Sequence, residues 1–161
     1  MDNSTRMEIF RARLQENRKW VFCANQCQAQ RDCVPHDVVG MRDAYREFER
    51  HDYIMLPTIE RTFLLDTAIT LITNGKCNQF RKTPVVFQDG SKGATYHEIP
   101  RLIESLDKAF LNNRLTPEEY YQEFESIHPF SDGNGRIGAI IYNSLKGTLD
   151  APIHPPEYKR R

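Results

Sequence analysis

A mainly α fold, interrupted by one β-hairpin and centred on a helix–loop–helix site, is what these 161 residues predict, as one domain. Three observations give that class. Apolar residues recur at three- and four-residue intervals over most of the chain, the period of helices that bury one face. Residues that start or stop helices bracket those runs, among them Asn74-Gly75, Asn112-Asn113, Thr116-Pro117 and Gly147. Only the stretch TPVVFQDGSKGATY changes period, to short β-favouring runs around a turn.

The elements follow in order. A first helix is expected over Thr5–Val21, with Ile9, Phe10, Leu14 and Val21 as a sparse apolar stripe. A second runs from Pro35 to Arg50 with Val38, Met41, Tyr45 and Phe48 on one face. Pro57 breaks the chain, and the Thr58 hydroxyl is expected to cap a third helix. Its apolar set is Ile59, Phe63, Leu64, Ala68, Leu71 and Ile72, which makes it the expected central core helix. Val85–Phe87 and Ala94–Tyr96, around Asp89-Gly90 and Gly93, predict a hairpin lying on the helical body. Its free edge is either a plain connection or a place where an extended segment of another protein adds as a strand. Pro100 opens a fourth helix faced by Leu102, Ile103, Leu106, Ala109 and Phe110. Thr116, Pro117 and Glu119 spell a capping box for a fifth, which carries the chain to His128. Ile137, Ile140, Ile141 and Leu145 form a sixth, stopped by Gly147. Three prolines keep the tail, APIHPPEYKRR, out of a further helix, and Lys159-Arg160-Arg161 reads as a frayed, solvated end.

Composition narrows the function. Lys+Arg and Asp+Glu balance at 22 each, for a formal net charge of zero. That balance, with pI ≈ 7.0, lacks the basic footprint of a general nucleic-acid binder. An apolar fraction of 39% and a mean hydropathy of −0.64 suit a water-soluble globule. No apolar run approaches the ~18 residues that suggest a membrane span, and the N-terminus has no apolar signal segment. A cytoplasmic protein without membrane or nucleic-acid partners is expected. Cys23, Cys27, Cys33 and His36 offer three thiolates and an imidazole to one zinc. The same residues also read as small apolar side chains on a helix face, since the usual paired ligand spacings are absent.

The chemistry gathers at His128-Pro129-Phe130-Ser131-Asp132-Gly133-Asn134-Gly135-Arg136, between the fifth and sixth helical patterns. Gly133, Asn134 and Gly135 open directly onto a helix, so backbone amides converge there without side-chain obstruction as an anion nest. Arg136 in the first turn can fork onto phosphate oxygens. Asp132 just before the nest can hold a Mg2+ that bridges phosphates. His128 is the local side chain able to take a proton near neutral pH. Cradle, metal carboxylate and base together imply phosphoryl-type transfer to a hydroxyl. Phe130 is a core anchor.

The run HPFSDGNGR resembles the signature of the Fic (Fic/Doc) family, His-x-Phe-x-Asp/Glu-Gly-Asn-Gly-Arg-x-x-Arg, and matches it from His128 to Arg136. The segment from Phe80 to Leu106, with Ile99-Pro100-Arg101-Leu102, resembles that family's flap and the helix after it. The likeness extends from Thr58 to Gly147. It implies a helical-bundle core over 58–147, an N-terminal helical extension over 1–57 packed on it, and a short tail over 148–161. The resemblance further implies transfer of AMP from ATP to a Ser, Thr or Tyr hydroxyl of a target protein, with pyrophosphate released. His128 would be the base and Asp132 the Mg2+ ligand. Gly133, Asn134, Gly135 and Arg136 would hold phosphate, and Thr83, Pro84, Val85, Val86 and Phe87 would dock the target. The partners implied are that target, a nucleotide, and an antitoxin or other regulator. Such a protein would act as a toxin-like modifier, delivered into or expressed in a host cell.

Two positions depart from the family pattern. Its final arginine falls at position 139, where this chain has Ala139. That loss implies weaker triphosphate binding, another donor (UMP, phosphocholine or phosphate transfer), or a decayed nucleotide-binding or protein-binding module. Residues 12–17 carry Glu16 and Asn17 of the family's inhibitory element but lack its hydroxyl, so Glu16 reads as an exposed helical glutamate.

Overall fold

Asp2 starts the first helix by accepting the Thr5 amide on its carboxylate at 2.7 Å. The computed structural model describes residues 2–29 and 35–158. Six α-helices carry them: α1 (Asn3–Gln28), α2 (Pro35–Glu49), α3 (Thr58–Ile72), α4 (Ile99–Leu111), α5 (Pro117–Ile127) and α6 (Asn134–Lys146). Single 3-10 turns at Tyr53–Met55 and Tyr96–Glu98 lead into α3 and α4.

The packing centre is α6, which touches α1, α2, α3 and α5. Arg136 to Asn143 of this helix are all buried, Ile137, Ala139 and Ile140 completely. The expected central helix, α3, is instead half a surface helix. It buries Leu64, Leu65, Ala68, Ile69 and Ile72, but leaves Ile59 84% and Phe63 72% exposed. Apolar residues lie nearly all round α3, so their spacing could not tell the inner face from the outer one. The Thr58 cap is also corrected. Pro57 occupies the cap position, and Thr58 Oγ1 accepts from Arg61 Nη2 at 3.1 Å.

In α1 the expected stripe faces solvent: Ile9, Phe10, Leu14 and Val21 are all exposed. The helix instead runs past Val21 and docks with its second half, through Phe22, Cys23, Cys27, Lys19 and Gln26. Polar residues on that inner face hid it from an apolar count. Arg42 of α2, 2% exposed, binds Glu16 of α1 through Nη2 at 2.7 Å and Glu49 through Nη1 at 2.8 Å. Lys19 completes the cluster on Glu49 at 2.7 Å. Glu16 is therefore the α1–α2 ion-pair partner, where an unengaged surface glutamate was expected.

Cys23 and Cys27 are fully buried, and burial pushes the Cys23 thiol up to about 12. The Cys27 thiol contacts Met41 Sδ at 3.9 Å. Cys33 and the side chain of His36 lie outside the described residues. Among the described residues no group of three or more His, Cys, Asp or Glu is placed to hold a metal, and no helix is long and apolar enough to cross a membrane.

The capping box at α5 forms as spelled: Thr116 Oγ1 accepts the Glu119 amide and Glu119 accepts the Thr116 amide, both at 3.1 Å. After α6 the chain is irregular yet tied down. Asn143, fully buried, donates to the Ile153 carbonyl at 2.9 Å and accepts the Ile153 amide at 2.8 Å. The Tyr45 hydroxyl donates to the Leu149 carbonyl. Lys159–Arg161 lie outside the described residues.

Candidate functional site

The turn between α5 and α6 rests on two left-handed residues. His128 ends α5 with φ 53° and ψ 65°, its amide donating to the Phe124 carbonyl at 3.1 Å. That conformation costs a non-glycine residue about 1–2 kcal/mol, so the surroundings must hold it there. Asn134 does much of the holding. Its Oδ1 accepts the Phe130 amide at 2.9 Å, and its Nδ2 donates to the Phe130 carbonyl at 2.8 Å. The same Nδ2 lies 3.0 Å from His128 Nε2. An amide nitrogen has only hydrogens to give, so Nε2 is the acceptor and carries the lone pair. The contact fixes the orientation of the half-buried imidazole. Phe130, fully buried, pins the loop beneath, its ring 5.4 Å from that of Phe80.

Gly133 is the second left-handed residue, with φ 83°. A Cβ there would also stand 2.8 Å from Ile69 Cδ1 and 3.1 Å from Thr73 Cγ2, so the loop's seat on α3 leaves room only for glycine. From this point α6 begins. Ile137 is the first residue whose amide is satisfied by the helix, on the Gly133 carbonyl at 3.0 Å. The amides of Asn134, Gly135 and Arg136 lead the helix and give its N-terminus a positive end.

Arg136 and Asp132 flank that end differently. Arg136 is 6% exposed, with Nη1 donating to the Ile72 carbonyl of α3 at 3.1 Å and Nη2 3.5 Å from Asp132 Oδ1. Asp132 is half exposed, and the same oxygen accepts the Gly133 amide at 2.8 Å. A hard carboxylate at a solvent-open mouth, one oxygen already held in place, suits Mg2+, which keeps several of its waters and takes few protein ligands.

The flap departs from expectation. Among the described residues it has no paired strands, only a single antiparallel bridge, Val86 to Lys92. Phe87 donates to the Ser91 carbonyl at 2.8 Å, and Gly93 to the Val85 carbonyl at 3.1 Å. The outer run ends there because Pro84 has no amide to give and the second run bonds elsewhere. Ala94 donates to the Ile127 carbonyl of α5 at 3.2 Å, and Tyr96 starts a 3-10 turn. Thr83, Pro84 and Val86 are exposed, Val85 and Phe87 half-buried. Phe87 meets the His128 ring edge-on, centroids 4.8 Å apart and planes at 89°. The structure so brings together His128, Asp132, Gly133, Asn134, Gly135, Arg136 and Phe87 of the flap. Ala139 lies a turn further along α6, in the core.

Sequence reasoning missed two features. The holding role of Asn134 toward His128 had a local signal, a spacing of six residues across a turn. Arg81 had none: it is 4% exposed and bonds to backbone carbonyls as far as 47 residues away.

The Fic/DOC family profile matches residues 49–145. Among solved structures, a Fic family protein from Desulfovibrio desulfuricans G20 shares the fold with a TM-score of 0.63 and 21% identity. The alignment covers 86% of this chain and 52% of that one, so the chain spans about half the length of that relative. No curated protein matches the chain.

Proposed function

This chain belongs to the Fic/DOC family, and from that premise we propose that it is a nucleotidyltransferase moving AMP from ATP onto a Ser, Thr or Tyr hydroxyl of a target protein. The observation that carries the reading is the 3.0 Å approach of Asn134 Nδ2 to His128 Nε2, which fixes the imidazole beside a glycine-opened helix N-terminus. In the proposed reaction the hydroxyl oxygen bonds the α-phosphorus of ATP while its proton passes to the His128 imidazole, and protonation at Nε2 would release the Asn134 contact. The bond from that phosphorus to the bridging oxygen breaks, and pyrophosphate leaves. The amides of Asn134 and Gly135 stabilise charge on the transferred group without reorganising, because the backbone already points them, and the Gly133 amide joins them on leaving Asp132 Oδ1. Arg136 exchanges its long contact with Asp132 for phosphate oxygens. Asp132 would hold Mg2+, which neutralises phosphate charge when bound. The flap, with Phe87 against the imidazole, offers the target a backbone edge at Val86, so register depends little on target sequence.

Labelled ATP, Mg2+ and cell extract test this directly. Wild-type protein is expected to label a protein band, and His128→Ala to lower the transfer by about 10²–10⁴-fold. Labelling that survives the substitution rejects the base; labelling of nothing by wild type rejects AMP transfer. A second reading rests on Ala139, which is fully buried and brings no guanidinium to a terminal phosphate. It favours a donor without a terminal phosphate to hold, such as CDP-choline. The donor that raises Tm most in the unreacted protein decides between them.

A further inference from the structure

Arg81 is buried, yet its guanidinium is answered by carbonyl oxygens and by no carboxylate among the described residues. Nε donates to the His128 carbonyl at 2.7 Å and Nη1 to the Thr83 carbonyl at 2.8 Å. Nη2 donates to the Ile127 carbonyl at 3.2 Å and to that of Ala94. The Arg81 amide adds a bond to the Pro129 carbonyl at 2.9 Å. Thr83 and Ala94 stand at the two feet of the flap, and Ile127, His128 and Pro129 make the turn that presents the base. One side chain therefore fastens both feet to that turn.

The surroundings are cut to this purpose. A Cβ on Gly93 would lie 2.8 Å from Arg81 Nη2 and 3.4 Å from His128 Cβ, so glycine leaves the space the guanidinium fills. Burial draws the Arg81 pKa below its ordinary value, which means the charge is held there at a cost. Charge-assisted bonds to four carbonyls offset that cost and leave the guanidinium no freedom to swing.

We propose that Arg81 is a positioning residue that makes the flap and the His128 turn one rigid unit, so that a target docked on the flap arrives in register with the imidazole. Its effect on catalysis rests on the transferase reading above; the clamp itself does not. Two variants of the full chain test it by hydrogen exchange. Arg81→Lys keeps the charge but cannot span four carbonyls, and Gly93→Ala leaves Arg81 in the sequence while displacing its guanidinium. In both, amides of residues 83–94 and 127–130 are expected to exchange about tenfold faster or more, with those of α2 and α6 unchanged. In a transfer assay kcat/KM for the target falls and KM for the nucleotide stays, since Arg81 does not touch residues 133–136. Unchanged exchange in the flap overturns the proposal, and so does acceleration spread evenly over all helices. If wild type transfers no label, the transferase reading fails while the exchange result still decides the clamp.

Discussion

The side chain of Asn134 orders the turn that carries His128. Asn134 spends both ends of its amide on the Phe130 backbone and still meets His128 Nε2. It is 4% exposed, so these bonds form away from competing water. A different polar residue, Asp107, adds a pH dependence to the fold. Asp107, 1% exposed, accepts the Tyr120 hydroxyl at 2.6 Å and pairs with Arg61 Nε at 2.9 Å. Burial outweighs both partners and pushes its carboxyl from 3.8 up to about 6. The folded state therefore holds the Asp107 proton to higher pH than the unfolded chain does. Its contribution to stability is complete below 3.8 and is lost as pH rises to about 6. Urea unfolding of wild type and Asp107→Asn across that range measures it. Wild-type stability minus that of the variant should fall with rising pH and then level off; if it rises instead, ionisation stabilises the fold.

Among the elements, α5 and α3 make a contrast. Everything that starts α5 is local: hydroxyl, proline and glutamate within four residues close a capping box whose two bonds are both made. Nothing local orients α3, because Ile59 and Phe63 are as apolar as Leu65 and Ile69 but lie outside. Ile59, Phe63 and Leu56 line an open groove of about 420 Å³ with Glu47, His51 and Glu60 at its sides. The two faces should answer substitution differently. Leu65→Ala or Ile69→Ala is expected to cost about 2–5 kcal/mol, the loss from a filled core. Ile59→Ser or Phe63→Ser should stay within about 0.5 kcal/mol, as for surface positions. Denaturant midpoints at constant m-value separate the outcomes, and a large loss at Ile59 would mean that this face is covered.

At the scale of the whole molecule, α1 is held by charge as much as by apolar contact. Arg42 bridges Glu16 and Glu49, and Lys19 bonds Glu49 from the α1 side. Glu16 is 42% exposed and Glu49 24%, so both can recover water if Arg42 is lost. The expected cost of Arg42→Ala is therefore near the lower end for a broken buried pair, about 3 kcal/mol. The measurement is urea unfolding followed by helix content. If α1 docks only through Phe22, Cys23 and Cys27, the variant will unfold at the wild-type midpoint.

What the residues alone determined is what short-range chemistry controls: helix ends at Thr116, Asn112 and Gly147, and the glycine-opened turn from His128 to Arg136. Caps and turns act over a few residues, so their cause and their effect sit side by side in the chain. Tertiary structure decided the rest. It chose which face of α3 and α1 turns inward, since apolar residues surround one and are scarce on the docking face of the other. It replaced the flap's expected strands by a bridge, because the Ala94 amide finds the Ile127 carbonyl. It also placed Arg81 behind His128, through carbonyls whose positions exist only once the helices have packed.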